Sequence, residues 1–79
     1  MPRYYFHVWT DGDCAPDPEG VECANEGAAQ ADAVRAAHEL LQEDIRSGRY
    51  AVTHRIVVEN EAGTTVTSVP FSMNITGLR

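Results

Sequence analysis

The chain of 79 residues contains no lysine, only two cysteines and no long apolar run. Its formal net charge of −6 argues against a general binder of phosphate backbones, because such binding depends on cations that displace condensed counterions. No stretch approaches the roughly 20 apolar residues that cross a bilayer, and the first ten residues lack the apolar run of a secretory signal. We therefore expect a soluble, cytoplasmic protein without a membrane partner.

The two cysteines are too few for a disulfide framework. Cys14 and Cys23 have neither the density nor the regular spacing of secreted disulfide-rich domains. The chain also lacks a Cys-x-x-Cys pair and a histidine pair at zinc-ligand spacing. We interpret both residues as reduced thiols and expect no cofactor.

The length of the chain predicts one small domain with a single layer of core. We assign residues 1–71 to a single α+β domain and residues 72–79 to a C-terminal tail without a regular element. A domain of this size buries only about 60–65% of the surface that its unfolded chain exposes, so pairing with a second copy is a common supplement.

The clearest element is an alanine-rich amphipathic helix from Asn25 to Ser47. Asn25 is the expected N-cap, and Gly48 is the expected stop because glycine readily adopts the left-handed conformation that ends many helices. Asp44 falls within the apolar stripe, so we expect the last turn to overhang the core and to keep this carboxylate in water. Apolar residues at the three- and four-residue spacing of one helix face form the predicted buried stripe, namely Ala29, Ala33, Val34, Ala37, Leu40, Leu41 and Ile45.

Strand-like segments flank this helix on both sides. Aromatic and β-branched residues predict strands at Arg3–Thr10 and Val21–Cys23 before the helix, and within Tyr50–Glu59 and Thr64–Val69 after it. Asn60–Gly63 joins the last two strands as a hairpin. The fold predicted is α+β with the element order ββαββ: a four-stranded antiparallel sheet in the order 2-1-3-4, with one long helix on one face.

Strand alternation divides the first strand between two faces. Tyr4, Phe6 and Val8 are assigned to the face under the helix. The opposite face combines aromatic, apolar and arginine side chains, which are enriched at protein interfaces. Local cover by the long loop and the tail is one alternative, and a stacking platform for single-stranded nucleic acid is another, although the net charge weighs against it. We call this predicted interaction surface the open sheet face; it comprises Arg3, Tyr5, His7, Trp9, Arg55 and Val57.

The loop Asp11–Gly20 is rich in turn-forming and acidic residues. Its carboxylates could ligate Ca²⁺ or Mg²⁺, but Ala15 and Pro16 occupy positions where an EF-hand needs an oxygen ligand and a glycine. We therefore interpret the acidic residues of this loop as ordinary turn residues in preference to metal ligands. The acidic residues at issue are Asp11, Asp13, Asp17 and Glu19.

Catalytic residues are not evident. His7, His38 and His54 have no neighbouring Ser or Cys in a nucleophile context, and a single-layer domain leaves little room for a concave pocket. We therefore expect that the protein is not an enzyme.

Several motifs occur in order along the chain: Met1–Val8 (MPRYYFHV), Asp11–Asp13, Asp17–Glu22, Asn60–Gly63 and Val69–Phe71. Together they resemble a family of short bacterial proteins filed as a domain of unknown function. The resemblance covers about residues 1–71 and departs from the family pattern at the start of the helix, where Cys23-Ala24-Asn25 replaces a Leu-Pro-Asp type sequence. It implies a single-domain fold and a cytoplasmic bacterial setting, and it adds no activity and no site residues.

The sequence therefore indicates a non-catalytic module that interacts with another protein or with a second copy of itself, as a homodimer. One alternative is a nucleic-acid-associated, antitoxin-like regulator that uses the open sheet face. Another is a metal-binding function of the acidic loop.

Overall fold

The computed structural model describes residues 1–77, within which the chain forms one helix and five strands. The strands are β1 (Arg3–Thr10), β2 (Asp13–Ala15), β3 (Val21–Glu22), β4 (Ala51–Glu59) and β5 (Thr65–Asn74), and the helix α1 (Glu26–Arg46) lies between β3 and β4 in the chain. All strand pairs are antiparallel, in the order β2-β1-β4-β5, with β3 also paired to β1. The predicted α+β class is confirmed. Over the same residues, no helix is both long enough and apolar enough to cross a bilayer.

The sheet contains one strand more than predicted, because β2 lies inside the loop that was expected to consist of turns. Asp11 and Gly12 both have positive φ angles, of 48° and 92°. Successive residues of this kind form tight hairpin turns, and this turn brings Asp13 back opposite Thr10 of β1. The predicted order is otherwise kept, since β3 still flanks β1 on one side and β4 and β5 follow on the other.

Strand β5 is also longer than predicted. We expected a strand that ended at Val69 and a loop from Ser72 onward, yet β5 continues to Asn74. Pro70 lies within it, opposite Arg55 of β4. An edge strand tolerates proline because the missing N–H need not remove a ladder hydrogen bond. The last two residues of the predicted tail, Leu78 and Arg79, lie outside the described residues.

The limits of α1 follow the sequence closely. The side chain of Asn25 accepts a hydrogen bond from the backbone N–H of Ala28 at 2.8 Å, which satisfies one donor of the first turn. Ser47 is the C-cap, and Gly48 beyond it has a φ of +82°. The predicted N-cap and stop are both confirmed.

The core lies between α1 and the sheet, where the helix contacts β4 and β5. Ala29, Ala33 and Ala37 are buried on the helix, and Ile56 and Val58 of β4 are completely buried. The small alanine side chains let the helix axis approach the sheet, while the larger strand residues fill the space between the two layers.

Two predictions about α1 are wrong. Val34 and Ile45 were assigned to the buried stripe but are exposed, because they lie on the flank of the helix, beside the residues that pack against the sheet. Asp44 was expected in water but is only 7% exposed. Since His54 of β4 provides a polar partner for Asp44, the last turn rests on the sheet and does not overhang it.

Candidate functional site

The strand register places all six residues of the open sheet face on the side away from α1. Trp9 of β1 lies opposite Arg55 of β4, and His7 lies opposite Val57. Arg3 and Tyr5 follow on the same face of β1, because they alternate with residues that face the helix. The structure therefore brings the predicted residues together, but in two halves with different surroundings.

The half of this face around Arg3 and Tyr5 is partly covered by the loop before β3. The guanidinium of Arg3 donates to the backbone carbonyls of Glu19 and Gly20 at 2.9 and 3.3 Å, and it lies 3.9 Å from the carboxylate of Glu22. A Cβ added to Gly20 would come within 2.9 Å of both the Arg3 and the Tyr5 side chains. Local cover, one of the alternatives for the face, therefore applies to this half.

Asp17 holds the middle of the loop against β1. Its carboxylate accepts hydrogen bonds from the backbone N–H groups of Phe6, Glu19 and Gly20 at 3.0 to 3.2 Å. Burial opposes the charge, but these three donors and the nearby His7 outweigh it, so the pKa of Asp17 is lowered. Asp17 thus fills the gap on the edge of β1 between β2 and β3.

The side chain of His7 links the loop to β4. The backbone N–H of Asp17 donates to Nδ1 of His7 at 3.1 Å, and Nε2 of His7 lies 3.1 Å from Oε1 of Glu59. Each ring nitrogen of His7 therefore has a partner within the chain. Among residues 1–77, no group of three or more His, Cys, Asp or Glu side chains is placed to hold a metal ion.

The other half of the face is accessible, and we call Trp9, Arg55 and Val57 the open half. Trp9 is 41% exposed, and Arg55 is also exposed. The Arg55 guanidinium donates to the hydroxyl of Ser68 at 3.0 Å, while no carboxylate within residues 1–77 lies within 4 Å of it. The open half borders a recess of about 250 Å³ that is lined by Trp9, Asp11, Gly12, Thr53, His54 and Arg55.

A second recess, of about 240 Å³, lies between α1 and the edge of β1. Its carboxylates already have partners, since Asp32 pairs with Arg35 and accepts from the Cys23 thiol at 3.6 Å. Burial raises the pKa of that thiol, and Asp32 raises it further. The residues that line this recess are Phe6, Asp17, Val21, Asp32 and Ala36.

A buried polar chain at the end of α1 was missed at the sequence level. Oδ2 of Asp44 lies 2.6 Å from Nε2 of His54, and Nδ1 of His54 lies 2.8 Å from the hydroxyl of Thr10. The signal was present, because Asp44 falls in the helix stripe and His54 alternates with the buried Ile56. This chain of hydrogen bonds ties the helix to the sheet, and its middle member, His54, also lines the first recess, whereas Asp44 and Thr10 line neither recess.

Comparisons with known proteins agree with the resemblance seen in the motifs. The sequence profile of a domain of unknown function, DUF6894, matches residues 3–72. No curated protein and no solved structure matches the chain significantly. Because the profile covers most of its length, the chain belongs to the DUF6894 family.

Proposed function

We propose that this protein is a non-catalytic module that self-associates through the open half of the sheet face. The observation that carries the proposal is the exposure of Trp9, which is 41% accessible directly opposite the exposed Arg55. Tryptophan and arginine dominate the energetic centres of protein interfaces. A large aromatic ring left in water is stabilised when a partner covers it.

The surroundings of the face favour a protein partner over nucleic acid. Arg3, the second cation predicted on this face, is held by the loop and by Glu22, so Arg55 is the cation beside the exposed indole. The net charge of −6 also opposes the approach of a phosphate backbone. We place the protein in the cytoplasm, where an exposed thiol such as that of Cys14 stays reduced.

The dimensions of the sheet support a weak and reversible association. Strands β1, β4 and β5 contribute to the face, and β4 has nine residues. At about 3.3 Å per residue and 4.8 Å between strands, the flat area of the whole face, including its loop-covered half, is about 400 Å². This is roughly half of the 800 Å² that each partner buries in a standard interface, so we expect dissociation in the micromolar range.

Sedimentation equilibrium over a dilution series tests the proposal. The solution mass of the wild-type protein should rise toward that of a dimer with concentration, whereas Trp9→Ala should remain monomeric. Val34→Ala is the matched control, because Val34 is similarly exposed, at 39%, but lies on α1. A wild-type protein that remains monomeric up to about 1 mM would refute the proposal. A Val34→Ala variant that remains monomeric over the same dilution series would also refute the proposal.

A further inference from the structure

Strand β4 presents two opposite charges on the open sheet face, with an apolar residue midway between them. Arg55, Val57 and Glu59 are successive residues on this face. With about 3.3 Å per residue, each charge lies about 6.6 Å from Val57. Arg55 is exposed and Glu59 is about one-third exposed, so both groups can reach a partner that covers the face.

This spacing is self-complementary under one particular symmetry. Consider a two-fold axis that lies in the plane between two such faces, passes over Val57 and crosses β4 at a right angle. Rotation about this axis reverses the direction of β4 in the second copy. Arg55 then faces the partner's Glu59, and Glu59 faces the partner's Arg55. On the neighbouring strand β1, which is paired in register with β4, the same operation places Trp9 over the partner's Tyr5.

The alternative axis brings like charges together. A two-fold axis parallel to β4 keeps the strand direction, so that Arg55 would face the partner's Arg55 and Glu59 the partner's Glu59. Like charges that meet across an interface oppose association. About the axis over Val57, the two sheets would cross at about 30°, as aligned sheets do. This rotation displaces each charge by about 3 Å at about 6.6 Å from the axis, a distance that the Arg and Glu side chains can span.

We infer that a second copy of this chain docks on the open sheet face about the two-fold axis over Val57, with two reciprocal Arg55–Glu59 ion pairs. This inference rests on the proposed self-association and specifies its geometry. In such a dimer the two sheets form the inner layers and the two helices lie on the outside. The open half of each copy covers the loop-covered half of the other.

Charge reversal tests this geometry. Arg55→Glu places two carboxylates opposite each other, and Glu59→Arg places two guanidinium groups opposite each other, so each single variant should dimerise at least about tenfold more weakly than the wild type. An equimolar mixture of the two variants should recover dimerisation as a heterodimer, because both cross-pairs then have opposite signs. The double variant Arg55→Glu/Glu59→Arg should recover it as a homodimer.

The contact between Glu59 and His7 requires a folding control, since Glu59→Arg removes it. Circular dichroism of each variant identifies those that are folded, and the double variant provides a second test if Glu59→Arg alone does not fold. Weaker dimerisation of Arg55→Glu together with recovery in the double variant supports the axis, because an axis parallel to β4 would leave both as strong as the wild type. An Arg55→Glu variant that dimerises like the wild type overturns the axis. If the wild type dimerises through Trp9 and the double variant does not recover, the axis is overturned while the proposed function stands. A monomeric wild type overturns both.

Discussion

The substitution Asp44→Ala tests whether the buried polar chain anchors the end of the helix. Asp44 and His54 are 7% and 3% exposed, and their side chains meet at 2.6 Å. Alanine at position 44 would leave Nε2 of His54 buried without its partner and would leave a small cavity at the last turn of α1. The hydroxyl of Thr10 contacts the other ring nitrogen and cannot replace the lost partner.

The expected loss of stability is a large part of the total. A buried polar group left without its partner costs about 1–3 kcal/mol, and the cavity left by the removed carboxylate adds to this, so we expect a loss of about 2–4 kcal/mol. At about 0.05–0.15 kcal/mol per residue, a chain of 79 residues has a free energy of unfolding of about 4–12 kcal/mol. Since 1 kcal/mol shifts Tm by about 4–8 °C in a domain of this size, Tm should fall by about 8 °C or more.

Urea unfolding followed by far-UV circular dichroism measures the effect. Asp44→Asn keeps an acceptor oxygen and should lower the free energy of unfolding by only about 1 kcal/mol. The double variant Asp44→Leu/His54→Phe removes both polar groups and should therefore be more stable than Asp44→Ala. Glu43→Ala is the control on the same helical turn, where an exposed residue should change stability by no more than about 0.5 kcal/mol. If Asp44→Ala lies within about 1 kcal/mol of the wild type, the anchoring role is refuted.

Two further predictions concern the loop. Gly20→Ala should destabilise the fold by about 2 kcal/mol in thermal unfolding, because Gly20 has a φ of +74° and close neighbours. Gly63→Ala is the control and should cost about 1 kcal/mol, because Gly63 has a φ of +80° but lies in open space. Equal losses of stability in the two variants would contradict the packing argument. Because the folded state lowers the pKa of Asp17, the charge of Asp17 contributes stability above its ordinary pKa near 4. This contribution is lost as the pH falls through the folded pKa. The free energy of unfolding of Asp17→Asn should therefore be about 1–3 kcal/mol lower than that of the wild type at pH 7, since the Phe6 N–H loses its acceptor. On acidification it should fall by less than that of the wild type. If urea unfolding shows the same pH dependence for both proteins, this role is contradicted.

The helix and the alternation of the strands could be predicted because their signals are local. Asn25 caps the helix through a hydrogen bond only three residues away, and Gly48 ends it through its own backbone freedom. The outward placement of Trp9 and Arg55 follows from the two-residue period of a strand, once one face of each strand is known to be buried. These features do not depend on the rest of the chain.

The features that sequence reasoning missed depend on partners outside the segment that contains them. Residues Asp13–Ala15 have little strand preference, and they form β2 because a tight turn delivers them to the backbone groups on the edge of β1. In the same way, Asp17 was interpreted as an ordinary turn residue, but its carboxylate also accepts a hydrogen bond from the backbone N–H of Phe6, eleven residues away.

The sequence by itself determined one capped amphipathic helix, a sheet with one apolar face, and the aromatic and arginine composition of the other face. It could not determine whether Asp44 lies in water, because helical periodicity gives the direction of a side chain and not what stands opposite it. Tertiary structure decided that point by bringing His54 of β4 against the last turn of α1. It also divided the open sheet face, since only the folded loop could cover Arg3 and Tyr5 and leave Trp9 and Arg55 accessible.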